Sequence, residues 1–255
     1  MIVKNIRIAI AIAIAIAHAA LAMLSLPVLA EPTDVKIQVR AVDAKFIGSG
    51  VGGLNVVIEN AQTGALLASG EITGATGDTG ALMRQGQTRG HAPTTPDSAA
   101  FTASIDIDHP VLARIRIAGP LDVAQSIRHL SVTQWLLPGQ DQVSPGIVLQ
   151  LPGLIVALAE VAVTDGELQA EVDVTMMCGC PITKGGLWDS NDFSVSASLY
   201  REGEKVQTFP LEFTGKTNRF AGKAGAPEPG SYELWISAHE SNTDNTGAWH
   251  QRLEF

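Results

Sequence analysis

The sequence predicts an all-β protein built from two tandem β-sandwich domains that follow an N-terminal signal peptide. Three observations support this fold class. Apolar residues alternate with polar ones in short runs, as in Val35 to Val39 and Phe193 to Leu199. Turn-forming pairs such as Thr63-Gly64 separate these runs, at the spacing of about 8–12 residues that is typical of sandwich strands. Residues 31–255 are also numerous enough to bury a sizeable core without disulfides.

The first thirty residues have the features of a signal peptide. Lys4 and Arg7 form a short positive region, and an apolar run follows from Ile8 to Leu29. Small residues precede the expected cleavage site after Ala30. The sequence therefore predicts a signal peptide at residues 1–30 and a periplasmic or secreted location. An uncleaved membrane anchor is the alternative, because the run is long enough to span a bilayer. We expect no membrane association beyond this segment.

The charge of the chain argues against two classes of partner. The formal net charge is −9, and cleavage would remove Lys4 and Arg7 but no acidic residue, which changes it to −11. Nucleic acid and anionic membrane surfaces repel a chain this acidic. The sequence therefore predicts no nucleic-acid partner.

Residues 33–160 are predicted to form the first sandwich. The segment VGGLNVVIENAQTGALLASGEITGATGDTG contains a strand at Gly53–Glu59, a turn at Thr63-Gly64 and a second turn at Asp78-Thr79-Gly80. In this order it resembles the carboxypeptidase-regulatory-like and transthyretin-like β-sandwich families over about residues 35–83. The resemblance implies an accessory module for structure or binding, with no catalytic residue.

Two further features belong to this first domain. Residues 84–99 form a polar insertion that carries Arg84, Arg89 and His91, and it is predicted to be a solvated loop. A binding loop on a rigid scaffold is the alternative. Trp135 is predicted to anchor the core or the contact between the domains.

Residues 161–255 are predicted to form the second sandwich. Inward-facing Tyr232, Leu234, Ile236 and Ala238 alternate with outward-facing polar residues. The ending EPGSYELWISAHESNTDNTGAWHQRLEF resembles the small Ig-like modules of exported bacterial proteins. That resemblance implies a fold and not a function.

The most distinctive chemistry lies in a sulfur-rich segment, Met176-Met177-Cys178-Gly179-Cys180. By strand parity Met176, Cys178 and Cys180 continue a buried face, whereas Met177 points away from it. Thiolate and thioether sulfur are soft ligands that select Cu(I), so one hypothesis is a copper site on Cys178 and Cys180. Packing, a disulfide between the adjacent cysteines, and thiol–disulfide exchange are the alternatives.

Two histidines of the same domain are candidates to complete such a metal site. His239 and His250 flank the polar turn at residues 242–247, so their strands are predicted hairpin partners. Both have outward parity, which places them opposite the core face. Across the hairpin they are candidates to meet each other. The full set of candidate metal ligands is therefore Cys178, Cys180, Met176, Met177, His239 and His250.

The sequence contains no Gly-x-Ser-x-Gly, His-Glu-x-x-His or phosphate-loop motif, so we predict no enzymatic activity. The function ranked first is an exported binding or assembly protein whose partner is a protein or a metal ion, with copper at the Cys-x-Cys segment. The second is a periplasmic thiol–disulfide redox protein using Cys178 and Cys180. The third is a purely structural or adhesion module.

Overall fold

The computed structural model describes residues 30–86, residue 89 and residues 94–255. These ranges form β-strands joined by turns and a few short helical turns, which confirms the all-β prediction. The predicted signal peptide, apart from Ala30, lies outside the described residues, and so does His91 of the polar insertion. Within these ranges no helix has the length and apolar character needed to cross a membrane.

Seven strands form the first half of the molecule. They are β1 (Glu31–Ala41), β2 (Leu54–Asn60), β3 (Leu66–Ile72), β4 (Phe101–Ile107), β5 (Val111–Gly119), β6 (Arg128–Leu136) and β7 (Gln142–Leu151). One sheet has the order β4-β1-β7 and the other β3-β2-β5-β6. Alternate residues of β1, β2 and β5 are buried, so the two sheets enclose a core as a sandwich.

Helical turns connect these strands at three places. A 3₁₀ turn at Ser49–Val51 precedes β2, and a π turn at Gly80–Arg84 lies between β3 and β4. A second 3₁₀ turn at Ala124–Ser126 lies between β5 and β6. All three are short, and each brings side chains of the first half close to the second.

Nine strands form the second half. They are β8 (Leu154–Thr164), β9 (Glu167–Met176), β10 (Ile182–Thr183), β11 (Trp188–Asp189), β12 (Phe193–Arg201), β13 (Glu204–Phe213), β14 (Arg219–Gly225), β15 (Ser231–Glu240) and β16 (Thr246–Glu254). The main sheet has the order β16-β15-β12-β13-β14-β9-β8. Strand β13 pairs with β14 only at Glu212 and Phe213, and β16 packs against β8. The sheet therefore folds over at β13 into a second sandwich.

The strand pairing divides the two halves earlier than the predicted boundary. The boundary between residues 160 and 161 falls inside β8, which pairs with β9 from Leu154 to Thr164. The sheets separate instead at Pro152-Gly153. The physical reason is that the apolar run from Leu154 to Val163 contains no turn-forming residue, so the strand continues through it, with one register shift between Leu158 and Glu160.

The prediction that Trp135 anchors the core or the domain contact is wrong. Its side chain is 51% exposed. Trp135 lies on β6, the edge strand of its sheet, and pairs with Leu112 on the outward face. The buried member of this segment is the neighbouring Leu136, which has the opposite parity.

Buried hydrogen bonds connect the two halves. The amide of Asn245, only 1% exposed, donates to the carbonyl of Val42 at 3.2 Å and accepts from the amide N–H of Gly153 at 2.9 Å. The hydroxyl of Ser126 accepts from the amide N–H of Val156 at 3.2 Å. Each bond satisfies a backbone group at the contact between the halves.

Two more side chains reach across the same contact. Gln125 accepts from the backbone N–H of His250 and donates to its carbonyl, both at 2.9 Å. The indole N–H of Trp188 donates to the carbonyl of Asp43 at 2.9 Å. Because buried residues of both halves also belong to one continuous apolar cluster, the two sandwiches have a fixed relative position.

We expect Asn245→Ala to destabilise the protein by about 2–4 kcal/mol, because it leaves two buried backbone groups without partners. Urea unfolding monitored by circular dichroism measures the change. Asn242→Ala, in the exposed part of the same turn, is the matched control and should change stability by less than about 0.5 kcal/mol. Equal effects of the two substitutions would contradict a role for Asn245 in joining the halves.

Candidate functional site

The sulfur-rich segment forms a tight turn directly after β9. Cys178 and Cys180 are joined by a disulfide, and the N–H of Gly179 donates to the carbonyl of Met176 at 2.7 Å. Gly179 has a φ of +73°, in the left-handed region, and a Cβ there would lie 2.8 Å from Cγ1 of Val51. Glycine is therefore required at this position both by the turn and by its contact with the first half.

Both methionines of this segment are buried, and only Met176 is shown to continue the predicted buried face. Met176 is fully buried on the same face as Val172 and Val174. Met177 was predicted to point away from this face, yet it is also fully buried. Strand geometry ends at Met176, and the sulfur of Met177 packs beside Gly153 at the contact between the halves. Side chains alternate between two faces only within a strand, so this alternation makes no prediction for a residue after the turn begins.

The two cysteines are 3% exposed each, and their sulfurs bond to each other. Neither sulfur is therefore a thiolate available to a metal ion in this state. The disulfide closes a loop of only three residues. It therefore adds little to the free energy of unfolding, about 1.6 kcal/mol in the chain-entropy model. The bond contributes far less stability than a disulfide that closes a long loop.

The structure does not bring His239 and His250 to the sulfur-rich turn or to each other. His239 pairs with Thr246 and His250 with Trp235, so the two histidines lie on different rungs of the β15–β16 hairpin. Nε2 of His239 lies 3.0 Å from an oxygen of Asp244. The ring of His250 stacks on Trp235 with centroids 4.5 Å apart. In the described part of the chain, no group of three or more His, Cys, Asp or Glu side chains is arranged to hold a metal ion.

A pocket of about 310 Å³ opens beside the disulfide, and we call it the junction pocket. Both halves of the molecule contribute to its wall. Its lining consists of Lys45, Thr76, Thr79, Arg84, Cys178, Gly179, Cys180, Pro181, Thr183, Leu187 and Trp188. Sequence reasoning identified the cysteines, and it placed Arg84 in a loop, but it missed Lys45 and Trp188. No local pattern signals that these distant positions converge.

The charged groups of the junction pocket are all positive. Lys45 and Arg84 are in the lining, and no Asp or Glu is. Two carboxylates lie next to lining residues in the sequence, and each accepts a hydrogen bond within its own turn. Asp78 accepts from the N–H of Ala81 at 2.7 Å. Asp189 accepts from a backbone N–H in the following turn, and backbone hydrogen bonds hold the pKa of this carboxyl below its usual value.

Arg40 supports the two segments that carry these cations. It is 8% exposed, and its guanidinium donates to the carbonyl of Ala44 at 2.7 Å and to that of Leu82 at 2.9 Å. Burial lowers the pKa of this guanidinium, and the charge of Asp43 opposes the effect. Arg40 therefore fixes the residue before Lys45 and the π turn that ends at Arg84.

A second cavity of about 290 Å³ also borders this turn. Its wall includes Val51 and Asp122 of the first half and Ile155 and Thr175 of the second. Gly179 is shared by the two cavities. The disulfide turn therefore contributes to two openings at the contact of the halves, with Cys178, Gly179 and Cys180 in the first and Gly179 in the second.

Neither protein-family models nor the curated proteins match this chain. Among solved structures, it is similar to a DUF3823 family protein from Bacteroides ovatus, at 9% identity and a TM-score of 0.31, over 87% of this chain and 98% of that one. It is also similar to the chicken interferon gamma receptor alpha chain, at 10% identity and a TM-score of 0.34, over 88% of this chain and 97% of that one. Because both TM-scores are low, the fold is assigned from the strand pairing of this chain alone.

We expect Asp43→Asn to stabilise the protein at neutral pH by a few tenths of a kcal/mol, an amount reduced by solvent screening. The pKa of Asp43 is raised by burial, then by the charge of Glu240, with Arg40 opposing. Because the pKa of Asp43 in the folded chain lies above the unfolded value of 3.8, ionisation of this carboxyl disfavours the folded state. The folded chain therefore has its full stability while the carboxyl is protonated, below pH 3.8, and loses stability as the pH rises through the folded pKa.

Melting temperatures of wild type and variant between pH 3 and pH 7 measure this effect. The difference should be largest at neutral pH and disappear in acid. Asp165→Asn is the matched control, because Asp165 is an exposed turn residue with the same left-handed backbone. A gain of the same size in the control would assign the effect to the turn and not to the charge.

Proposed function

We propose that this protein is an exported, non-enzymatic binding module that takes a small ligand into the junction pocket. One observation carries the proposal: both sandwiches contribute to a single pocket, and buried hydrogen bonds hold them in a fixed relative position. Ligand sites occur preferentially at such contacts between domains and are usually preformed. The pocket volume of about 310 Å³ is at the lower end of the range for small-molecule sites.

Two further observations support the export and the binding class. Residues 1–30 have the sequence of a signal peptide, and the Cys178–Cys180 disulfide is of a kind that persists in oxidising compartments. The resemblance of residues 35–83 to carboxypeptidase-regulatory-like and transthyretin-like modules, and of residues 190–255 to Ig-like modules, implies accessory binding or structural roles. An assembly role with a protein partner belongs to the same proposal.

A fragment panel followed by two-dimensional amide NMR tests the proposal. We expect neutral or charged aromatic fragments to shift the amides of the Cys178–Cys180 turn and of Leu187. Leu187 is 45% exposed at the rim, so Leu187→Ser should weaken binding about threefold to tenfold without unfolding the chain.

Leu66→Ser is the matched control, because Leu66 is 65% exposed on β3 and does not line the pocket. It should leave fragment binding unchanged. Fragments that shift amides elsewhere, or a panel with no hits, would overturn the assignment of the site.

The copper hypothesis applies to the reduced chain. Reduction of the disulfide gives two thiols that line the junction pocket, with Met176 and Met177 adjacent in sequence. Two thiolates are suitable ligands for Cu(I). His239 and His250 are not part of this version of the site, since both lie on the outward face of the β15–β16 hairpin.

An anaerobic Cu(I) titration against a competing chelator tests this hypothesis. We expect one tightly bound ion in the reduced chain, and none in the oxidised chain or in Cys178→Ala/Cys180→Ala. If the reduced chain and the double variant give the same titration, the copper hypothesis is wrong.

Thiol–disulfide exchange is the second candidate function, and the position of the disulfide in the wall of a pocket favours it. A measured midpoint potential distinguishes the roles, because structural disulfides have potentials below about −300 mV and exchange-active ones lie higher.

A further inference from the structure

The charge of the junction pocket is opposite to that of the chain as a whole. The chain has 26 acidic and 17 basic residues. The lining of the junction pocket nevertheless contains Lys45 and Arg84 and no acidic side chain. This local excess of positive charge lies in a concave site, where a bound ion is less screened than on an open surface.

Neither of these two cations has a carboxylate partner. No carboxylate among the described residues lies within 4.0 Å of Lys45 or Arg84, and the residues outside those ranges include no Asp or Glu. Nζ of Lys45 makes one long contact, 3.5 Å from the carbonyl of Gly77. By contrast, Arg219 is held between Glu171 and Asp173.

Arg40 holds the backbone close to each of the two cations. Arg40 is bound to the carbonyls of Ala44 and Leu82, one residue before Lys45 and two before Arg84. An arginine this buried forms no ion pair with a carboxylate in the described structure. The fold therefore places a third basic side chain beside the segments that carry Lys45 and Arg84, and the nearby charge of Asp43 opposes part of its positive charge.

The second half contributes most of the apolar lining of the junction pocket: Leu187, Trp188, Pro181 and the disulfide. Leu187 is 45% exposed, so its side chain has apolar surface available for a ligand. A ligand that uses both kinds of lining needs an anionic group and a compact apolar body.

From this arrangement we infer that the junction pocket binds a small organic anion, with its acidic group between Lys45 and Arg84 and its apolar part against Leu187 and Trp188. This inference rests on the proposed binding function and adds the class of ligand. The anion would replace the missing carboxylate partners, and charge-assisted hydrogen bonds of this kind are stronger than neutral ones.

Isothermal titration calorimetry with matched probes tests the inference. Benzoate, benzenesulfonate, benzamide and benzylamine share one aromatic body and differ in charge. We expect both anions to bind at least about tenfold more tightly than benzamide, and benzylamine not to bind. Raising the salt concentration should weaken anion binding.

Lys45→Gln and Arg84→Gln should each weaken benzoate binding about tenfold and leave benzamide binding unchanged. Lys205→Gln and Arg252→Gln are the matched controls, because both side chains are exposed and outside the pocket lining. They should leave benzoate binding as in the wild type.

The outcomes separate this inference from the proposed function. Equal binding of benzoate and benzamide, with hits still located at the Cys178–Cys180 turn, would overturn the anion inference and retain the binding pocket. Tighter binding of benzylamine would also overturn it. If no probe or fragment binds at the turn, both the inference and the proposed function are wrong.

Discussion

The buried amide of Asn245 is the interaction on which the arrangement of the two sandwiches depends. It satisfies a carbonyl of the first half and the N–H of Gly153, where the chain passes from one half to the other. Backbone groups at a buried contact are costly to leave without partners, so the contact is stable only in the geometry that pairs them. Ser126 satisfies a buried backbone N–H in the same way, whereas Trp188 adds a half-buried hydrogen bond and Gln125 adds exposed ones across the contact. The junction pocket follows from this fixed geometry, because its two walls belong to different halves.

The disulfide turn is the second constraint, and it acts on both cavities. Gly179 presses against Val51 with no space for a side chain, so the turn has one position relative to the first half. The cross-link adds little stability because it closes only a three-residue loop. Both cysteines line the junction pocket and Gly179 lines both cavities, so the disulfide turn forms part of the wall of the candidate ligand site.

Alternation of apolar residues predicted most of the strands, including the buried faces of β1, β9, β12 and β15, because half-buried strands have a period of two. The prediction for Trp135 was wrong because the side chain lies on the exposed face of an edge strand, where a large aromatic residue has no sheet to pack against. Alternation makes no prediction for Met177, which follows the end of β9. The predicted boundary between the halves falls inside β8, because an apolar run in a sequence does not indicate to which sheet the strand belongs.

The cysteines of the site were visible in the sequence as a rare local pattern. Lys45 and Trp188 were not, since their proximity depends on the contact between the halves.

The charge of the chain and the charge of the junction pocket act over different distances. At physiological ionic strength, charges are screened beyond about 8 Å, so the acidic surface has little influence on a small ion until it is close. The lining of the junction pocket presents Lys45 and Arg84 to such an ion, and no carboxylate. Because the junction pocket has a volume of about 310 Å³, an anion that fits inside it must be small. This size limit is compatible with the prediction, made from net charge, that the chain has no nucleic-acid partner.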